Sequence, residues 1–384
     1  VSRSLPLSPS AFMRSVHSVL ALSLHLALAL GTRKTTWRDL RKLNYAFTFD
    51  DYIREYAKDY GKAEYELRKA IFEAELLKIK EHNENADATW KMGLSPHTDR
   101  SASEWSMMRG YKRSLHTKVG SPSSMAKLPR GLTLPTRLDW REHGVTSPVK
   151  NQGHCGSCWA FSATAVFESA LAIATLPSPV KILSPQALVD CAPNPRECGG
   201  TGGCEGSTQW IGFNYTATHG FPLESDYPYN ATDGVCTIAD TTIVAKNSGY
   251  MRLQANDYAS LMQAVNLGPV AISIAASWPS YEEGVFNSTA CGTEINHAVV
   301  LEGYGTDDVS GLDYWLIRNS WGSEWGESGY IRIQRFGEGK EPCGVDESPM
   351  SGTACKGDPP TMTVCGLCGL LSDSSIPVGV TAMG

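Results

Sequence analysis

Residues 152–161 read QGHCGSCWAF, and the fate of the two cysteines in this stretch decides how the rest of the chain is read. Cys155 and Cys158 stand three apart between glycines, with Trp159 directly after the second. A C-x-x-C pair can hold a metal, form a redox disulfide, or set a structural cysteine beside a reactive one. The run that follows, SCWAFSATAVFESALAIA, is apolar nearly all round, as a buried helix would be. Cys158 falls in its first turn, where the helix dipole favours an anion and so a thiolate.

A thiol nucleophile needs a base, a group that orients the base, and donors for an oxyanion. His297 in NHAVVLEGYG and Asn319 in RNSWGSEWG follow Cys158 by 139 and 161 residues. Gln152 precedes it by six, and its side-chain amide with the Cys158 N–H can supply two donors. Taken alone, His297 would sooner be structural than catalytic; the ordered set reverses that. The competing reading joins a second C-x-x-C, Cys365 and Cys368, to the first as a four-cysteine zinc site.

These blocks, with LDWREHGVTSPVKNQGHCGSCWAFSA, CEGS and CGLLSDSSIP, resemble the papain family of cysteine proteases, in the preproenzyme form of its cathepsin L branch. The resemblance covers roughly residues 45–384. It implies an α+β, papain-like two-lobed fold, with a helical lobe, a β-barrel-like lobe and a cleft between, preceded by a helical propeptide. It implies Cys158 as nucleophile, His297 as its base, Asn319 orienting His297, Trp321 shielding that bond and Gln152 stabilising the oxyanion. The reaction would be that of an endopeptidase, peptide-bond hydrolysis through an acyl-enzyme. No cofactor and no metal enter this scheme; the partners are protein or peptide substrates and the chain's own propeptide.

The same resemblance assigns substrate binding to Gly206, Ser273, Ile295, Ala298, Trp321 and Asp373. Asp373, five residues after Cys368, would floor the pocket for the second residue before the scissile bond. A competing alignment on CGVDES puts Ser348 there. With Asp373 the expectation is mixed acceptance of Leu, Phe and Arg. The resemblance pairs Cys155 with Cys204, Cys191 with Cys236, and Cys291 with Cys368. Cys198, Cys343, Cys355 and Cys365 remain, with three possible connectivities. They are expected to staple an insertion at about 338–367 with two further bridges, one reaching Cys198.

The front of the chain differs in kind. Of 34 Lys+Arg and 40 Asp+Glu, 12 and 26 fall in residues 134–384, a net of −14 there against +8 for residues 1–133. A basic front and an acidic body attract each other. The positive charge is too scattered for a nucleic-acid surface. From Met13, MRSVHSVLALSLHLALALG has the charge, apolar run and small residues of a signal peptide, 13–31. Residues 1–12 read as upstream read-through. The apolar run is too short for comfortable membrane insertion. The expected destination is the secretory pathway: lysosome, vacuole or outside the cell. Sequons at Asn214, Asn230 and Asn287 are available to glycosylation there.

Residues 37–83 read as helical, with Leu67, Ile71, Phe72, Leu76 and Ile79 at helical spacing. The family's propeptide pattern is met by Glu64, Arg68, Phe72, Ile79 and Asn83, while Glu75 stands in place of an asparagine. In its second motif Gly93 and Asp99 match, and Ser95 and His97 depart. Residues 99–133 have linker composition. An inhibitory propeptide, 32–133, would therefore run ahead of a peptidase domain, 134–384. The cut is expected within KLPRGLTLP, just before Leu134, with processing faster toward acid pH as body carboxylates protonate. The product would be a monomer.

Overall fold

The computed structural model describes residues 34–110 and 134–383. The read-through, the signal segment and the expected cut lie outside the described residues. The front unit holds helices α1 (Trp37–Lys42), α2 (Phe49–Glu55), α3 (Lys62–Glu84) and α4 (Ala102–Met108) and strand β1 (Trp90–Met92). Thr36 and Thr48 start the first two helices with reciprocal capping boxes to Asp39 and Asp51. Leu40, Phe49, Tyr52, Phe72 and Ile79 make its small core. Full burial of each such side chain contributes about 2 kcal/mol. Leu67, counted on the packed face from its spacing, is 59% exposed. The face that packs runs through Phe72, Ile79 and Asn83, whose amide grips both backbone groups of Met92, at 2.7 and 2.9 Å.

Helix α4 corrects the linker reading. Its signal was present: Ser101 and Glu104 form a third capping box. The polar composition around it hid a helix that ends inside the cleft.

The body has two halves. Helices α5 (Cys158–Thr175), α6 (Pro185–Cys191) and α7 (Gln209–His219) pack as one lobe. Fourteen of the eighteen residues of α5 are buried, Glu168 among them. Its carboxylate is held by Lys150, by Ser147 and by the Leu183 N–H, so this buried charge is paired rather than orphaned. The other lobe is sheet. The strands are β2 (Leu138–Asp139), β3 (Phe221–Pro222), β4 (Ile243–Lys246), β5 (Gly249–Arg252), β6 (Val270–Ile274), β7 (Tyr281–Phe286), β8 (His297–Thr306), β9 (Asp313–Arg318), β10 (Tyr330–Gln334), β11 (Cys343–Asp346), β12 (Met362–Cys365), β13 (Ser374–Val378) and β14 (Thr381–Ala382). The large sheet runs β1-β7-β10-β9-β8-β6-β13-β5, with β2 on β8. Helix α8 (Tyr258–Leu267) packs on β8.

The front unit is thus built into the sheet: β1 pairs antiparallel with β7, Trp90 opposite Gly284. Around this seam Lys34 meets Glu324 at 3.0 Å and Arg38 meets Glu283 at 2.7 Å. Glu75, the departure from the family pattern, accepts the Ser280 hydroxyl at 2.6 Å.

The structure pairs Cys155–Cys204, Cys191–Cys236, Cys291–Cys368, Cys198–Cys355 and Cys343–Cys365. The second C-x-x-C is therefore divided between two bridges. Cys158 alone is unpaired among the described cysteines. The insertion forms a hairpin of β11 and β12.

Candidate active site

Cys158 is the first residue of α5, fully buried where the lobes meet. Its Sγ accepts N–H groups from Ala298, on the sheet lobe, and from Gly110, on the front unit, each at 3.3 Å. Burial pushes the thiol up to about 11, against the pull of these hydrogen bonds.

His297 opens β8, one residue from that Ala298 donor. Its Nε2 lies 2.8 Å from Asn319 Oδ1. The same Oδ1 accepts the Ser320 N–H, which fixes the amide's orientation and makes Oδ1 the acceptor. Nε2 therefore carries the proton, and Nδ1, buried and without a hydrogen-bond partner, keeps its lone pair. The ring stacks on Trp321 at 4.9 Å. Burial drives the imidazole down to about 4; the Asn319 bond opposes this and the Arg109 charge adds to it.

Gln152 is clamped. Its Oε1 accepts the Ser320 hydroxyl at 2.6 Å, and its backbone carbonyl accepts the Tyr229 hydroxyl at 2.7 Å. Its Nε2 then points at two carbonyls, Cys155 at 2.9 Å and Met108 at 2.7 Å. The second belongs to the front unit, so the proposed oxyanion donor is already engaged.

Residues 108–110 thread this site. Met108 is buried in a cluster with Trp278, Trp321 and Trp325. Arg109 reaches the Ala276 carbonyl. Gly110 lies so close that a Cβ there would sit 2.6 Å from Cys158 Sγ, and one on Gly206 would strike the Gly110 carbonyl. Only a residue without a side chain passes at this point. Behind it His97 bonds the Trp321 carbonyl at 2.9 Å, and Trp105 meets Trp321 edge-on at 5.1 Å.

Ser273, Ile295, Ala298 and Asp373 are all buried on the sheet-lobe side. Ser273 and Ala298 are register partners in β6 and β8. Asp373 does not present a free carboxylate: Arg252 pairs with it at 3.1 Å, Ser273 donates at 2.7 Å and Gln209 at 2.9 Å. This corrects the expectation of a charge waiting for a basic substrate side chain. Arg252 lies 121 residues from Asp373, and nothing local in the sequence marked it. Ser320 and Tyr229 were also missed; Ser320 adjoins Asn319 in the RNSWGSEWG block. Asn214, Asn230 and Asn287 are exposed. Asn230 Oδ1 accepts the N–H and the hydroxyl of Thr232, both at 3.0 Å, bringing the two ends of that sequon together.

Residues 134–353 match the papain family cysteine protease model, and residues 49–105 match the cathepsin propeptide inhibitor domain (I29) model. Cathepsin L of Sarcophaga peregrina is 36% identical over 311 residues, covering 77% of this chain and 88% of that protein. Procathepsin L of Mus musculus is 35% identical over 287 residues, 72% of this chain and 83% of its own. Among solved structures, digestive procathepsin L 3 of Tenebrio molitor larval midgut superposes with a TM-score of 0.68 at 30% identity, covering 86% of this chain and 97% of that one.

The packing at Gly110 has a direct consequence. Gly110→Val overpacks the gap between Gly156 and Cys158 and should weaken docking by about 1–3 kcal/mol. The full-length variant should process itself faster than wild type at the same pH, followed by gel. An unchanged rate would contradict the threading.

Proposed function

The chain belongs to the papain family of cysteine proteases and is a cathepsin L-like proenzyme, and from that premise we propose that Cys158, His297 and Asn319 hydrolyse peptide bonds, with Gln152 as oxyanion donor. The observation that carries this is the unpartnered, buried His297 Nδ1 on a ring whose Nε2–H is committed to Asn319. Nδ1 is the base that takes the Cys158 proton. The thiolate attacks the substrate carbonyl carbon, and its oxygen becomes an oxyanion at Gln152 Nε2 and the Cys158 N–H. His297 returns the proton to the leaving amine; water then releases the acyl group by the reverse sequence. Trp321 keeps water from the His297–Asn319 bond.

In the proenzyme this chemistry is held off. Residues 108–110 fill the cleft, and burial disfavours both the thiolate and the imidazolium. Removing them re-admits water and allows both charges. The pocket for the second residue before the scissile bond is formed by Ser273, Ile295 and Ala298 above Asp373, opposite Gly206. Because Arg252 neutralises Asp373, this pocket selects Leu or Phe over Arg. The destination is the secretory pathway, as the signal segment and three exposed sequons support. We assign glycans to Asn214, Asn230 and Asn287.

Acid sensitivity is assigned to His97 first. Free imidazole titrates near 6.5; docked, burial pushes His97 down to about 3, with the Arg100 and Lys58 charges adding and the Trp321 carbonyl opposing. The docked value is the lower one. Its contribution to docking is therefore intact above pH 6.5 and is lost as pH falls from there toward 3. At pH 4.5 that amounts to about 2–3 kcal/mol. Glu104, held well below the usual carboxylate range by Arg68, is paired within the front unit and stabilises that unit rather than its docking. Glu282 acts oppositely: burial lifts it to about 8, so acid does not weaken its contact with the Trp37 N–H. Protonation of Glu282 is thus not part of the trigger.

Three measurements test these assignments. Cys158→Ala should abolish hydrolysis of a peptide amide with the fold intact by circular dichroism, and Asn319→Ala should lower kcat by about 10- to 100-fold; turnover surviving in Cys158→Ala would end the assignment. Arg252→Met should raise kcat/KM for Arg relative to Leu at the second position by about tenfold, while an unchanged ratio would remove Asp373 from the pocket. His97→Phe should flatten the rise in processing rate between pH 7 and pH 4.5; an undiminished rise would place the trigger elsewhere.

A further inference from the structure

The four cysteines outside the shared pairing converge on one end of the cleft. Cys343–Cys365 staples the β11–β12 hairpin, and Cys355, between its strands, is bonded to Cys198 in the loop after α6. The hairpin's first side rests on the sheet lobe. Asp346 accepts the Ile295 N–H at 3.2 Å, and Thr293 donates to the Val345 carbonyl at 2.7 Å. Gly352 lies against Ile295 so closely that a Cβ there would strike the Ile295 carbonyl. The second side rests on the helical lobe. Gly199 donates to the Ala354 carbonyl at 3.2 Å, Lys356 donates to the Arg196 carbonyl at 2.8 Å, and Arg196 pairs with Asp358 at 3.2 Å.

Between Gly352 and Cys355 the chain therefore passes from one wall to the other. An extended stretch of that length spans at most about 13 Å. All four residues are buried. The crossing can be placed along the cleft. The Gly199 carbonyl abuts the Cα of Gly206, which abuts the Gly110 carbonyl; Ile295 stands two residues before His297. Met108 lies instead against the Gln152 amide and the tryptophan cluster. The family match stops at residue 353, inside this segment.

We propose that residues 352–355 form a crossbar that ends the substrate cleft beyond the pocket for the second residue before the scissile bond, so that the enzyme favours peptides whose chain begins two residues before that bond. The inference rests on the reading of Cys158 as nucleophile and of Gly206 and Ile295 as opposite walls. Extended peptides normally gain from each residue laid along a cleft. Here a third residue meets Ala354 and Cys355 instead of open groove, and Cys198–Cys355 keeps the bar from swinging aside.

The test uses matured enzyme and reporter amides with a free amino end, carrying two, three or four residues before the cleaved bond and Leu always second from it. Active-site concentration is set by titration with a thiol alkylator. In wild type, kcat/KM should fall by about tenfold or more from two residues to three. In Cys198→Ser/Cys355→Ser, and in a Cys198→Ser variant with residues 353–358 replaced by a short Gly-Ser link, the fall should shrink to about threefold or less. Hydrolysis lost in Cys158→Ala but kept in both crossbar variants shows the site itself to be right, so the length ratio then speaks to the crossbar alone. A wild-type kcat/KM that holds level or rises with length overturns the proposal, as does a fall that both variants leave undiminished.

Discussion

The hydrogen bond from the Gly110 amide to the Cys158 sulfur is the contact around which the proenzyme is organised. To make it, the front unit must lay bare backbone between Gly156 and Gly206, and only glycine fits. That approach removes water from the thiol and from His297 together. A thiolate and an imidazolium stabilise each other once formed, but each is costly to create in a dry site. The occupied cleft is thus held off in two ways. Substrate is excluded, and the pair is kept in its neutral forms.

Everything upstream serves to hold those three residues in place. β1 adds to β7 as an edge strand, an arrangement whose main-chain bonds tolerate sequence variation. The capped α4 aims Met108 at Gln152, whose amide is fixed by Ser320 and whose backbone is fixed by Tyr229. The Trp105–Trp321 contact couples the front unit to the ring that stacks on His297. Elsewhere along the cleft a permanent part of the body, stapled through Cys198–Cys355, joins the two walls. Part of the cleft is closed by a segment that leaves on maturation, part by one that stays.

How far this was legible in the sequence depends on whether the determinant was local. The apolar run after Cys158 and the spacing of Cys158, His297 and Asn319 are local or ordered signals, and the structure brings those residues to one place. The helix α4 was legible too, through Ser101 and Glu104, but polar composition outweighed the cap. Leu67 shows the limit of periodicity: spacing gives a face, but not which neighbour covers it. The neutralisation of Asp373 by Arg252 depends on a β5–β13 pairing that no local pattern announces. That Cys198 would be reached rested on setting aside the three pairs the resemblance implies; that the bond would tie two walls together depends on where Ile295 and Gly199 lie in space.

On this reading the front unit holds Cys158 as a neutral thiol, and its removal makes the same thiol acidic. Because Cys158 is the only unpaired cysteine described, alkylation by iodoacetamide reports it alone. The most direct measurement is the pH dependence of that alkylation in proenzyme and matured enzyme. The midpoint should lie above the ordinary thiol value of about 8.5 in the proenzyme and well below it after maturation. The same midpoint in both forms would contradict this reading.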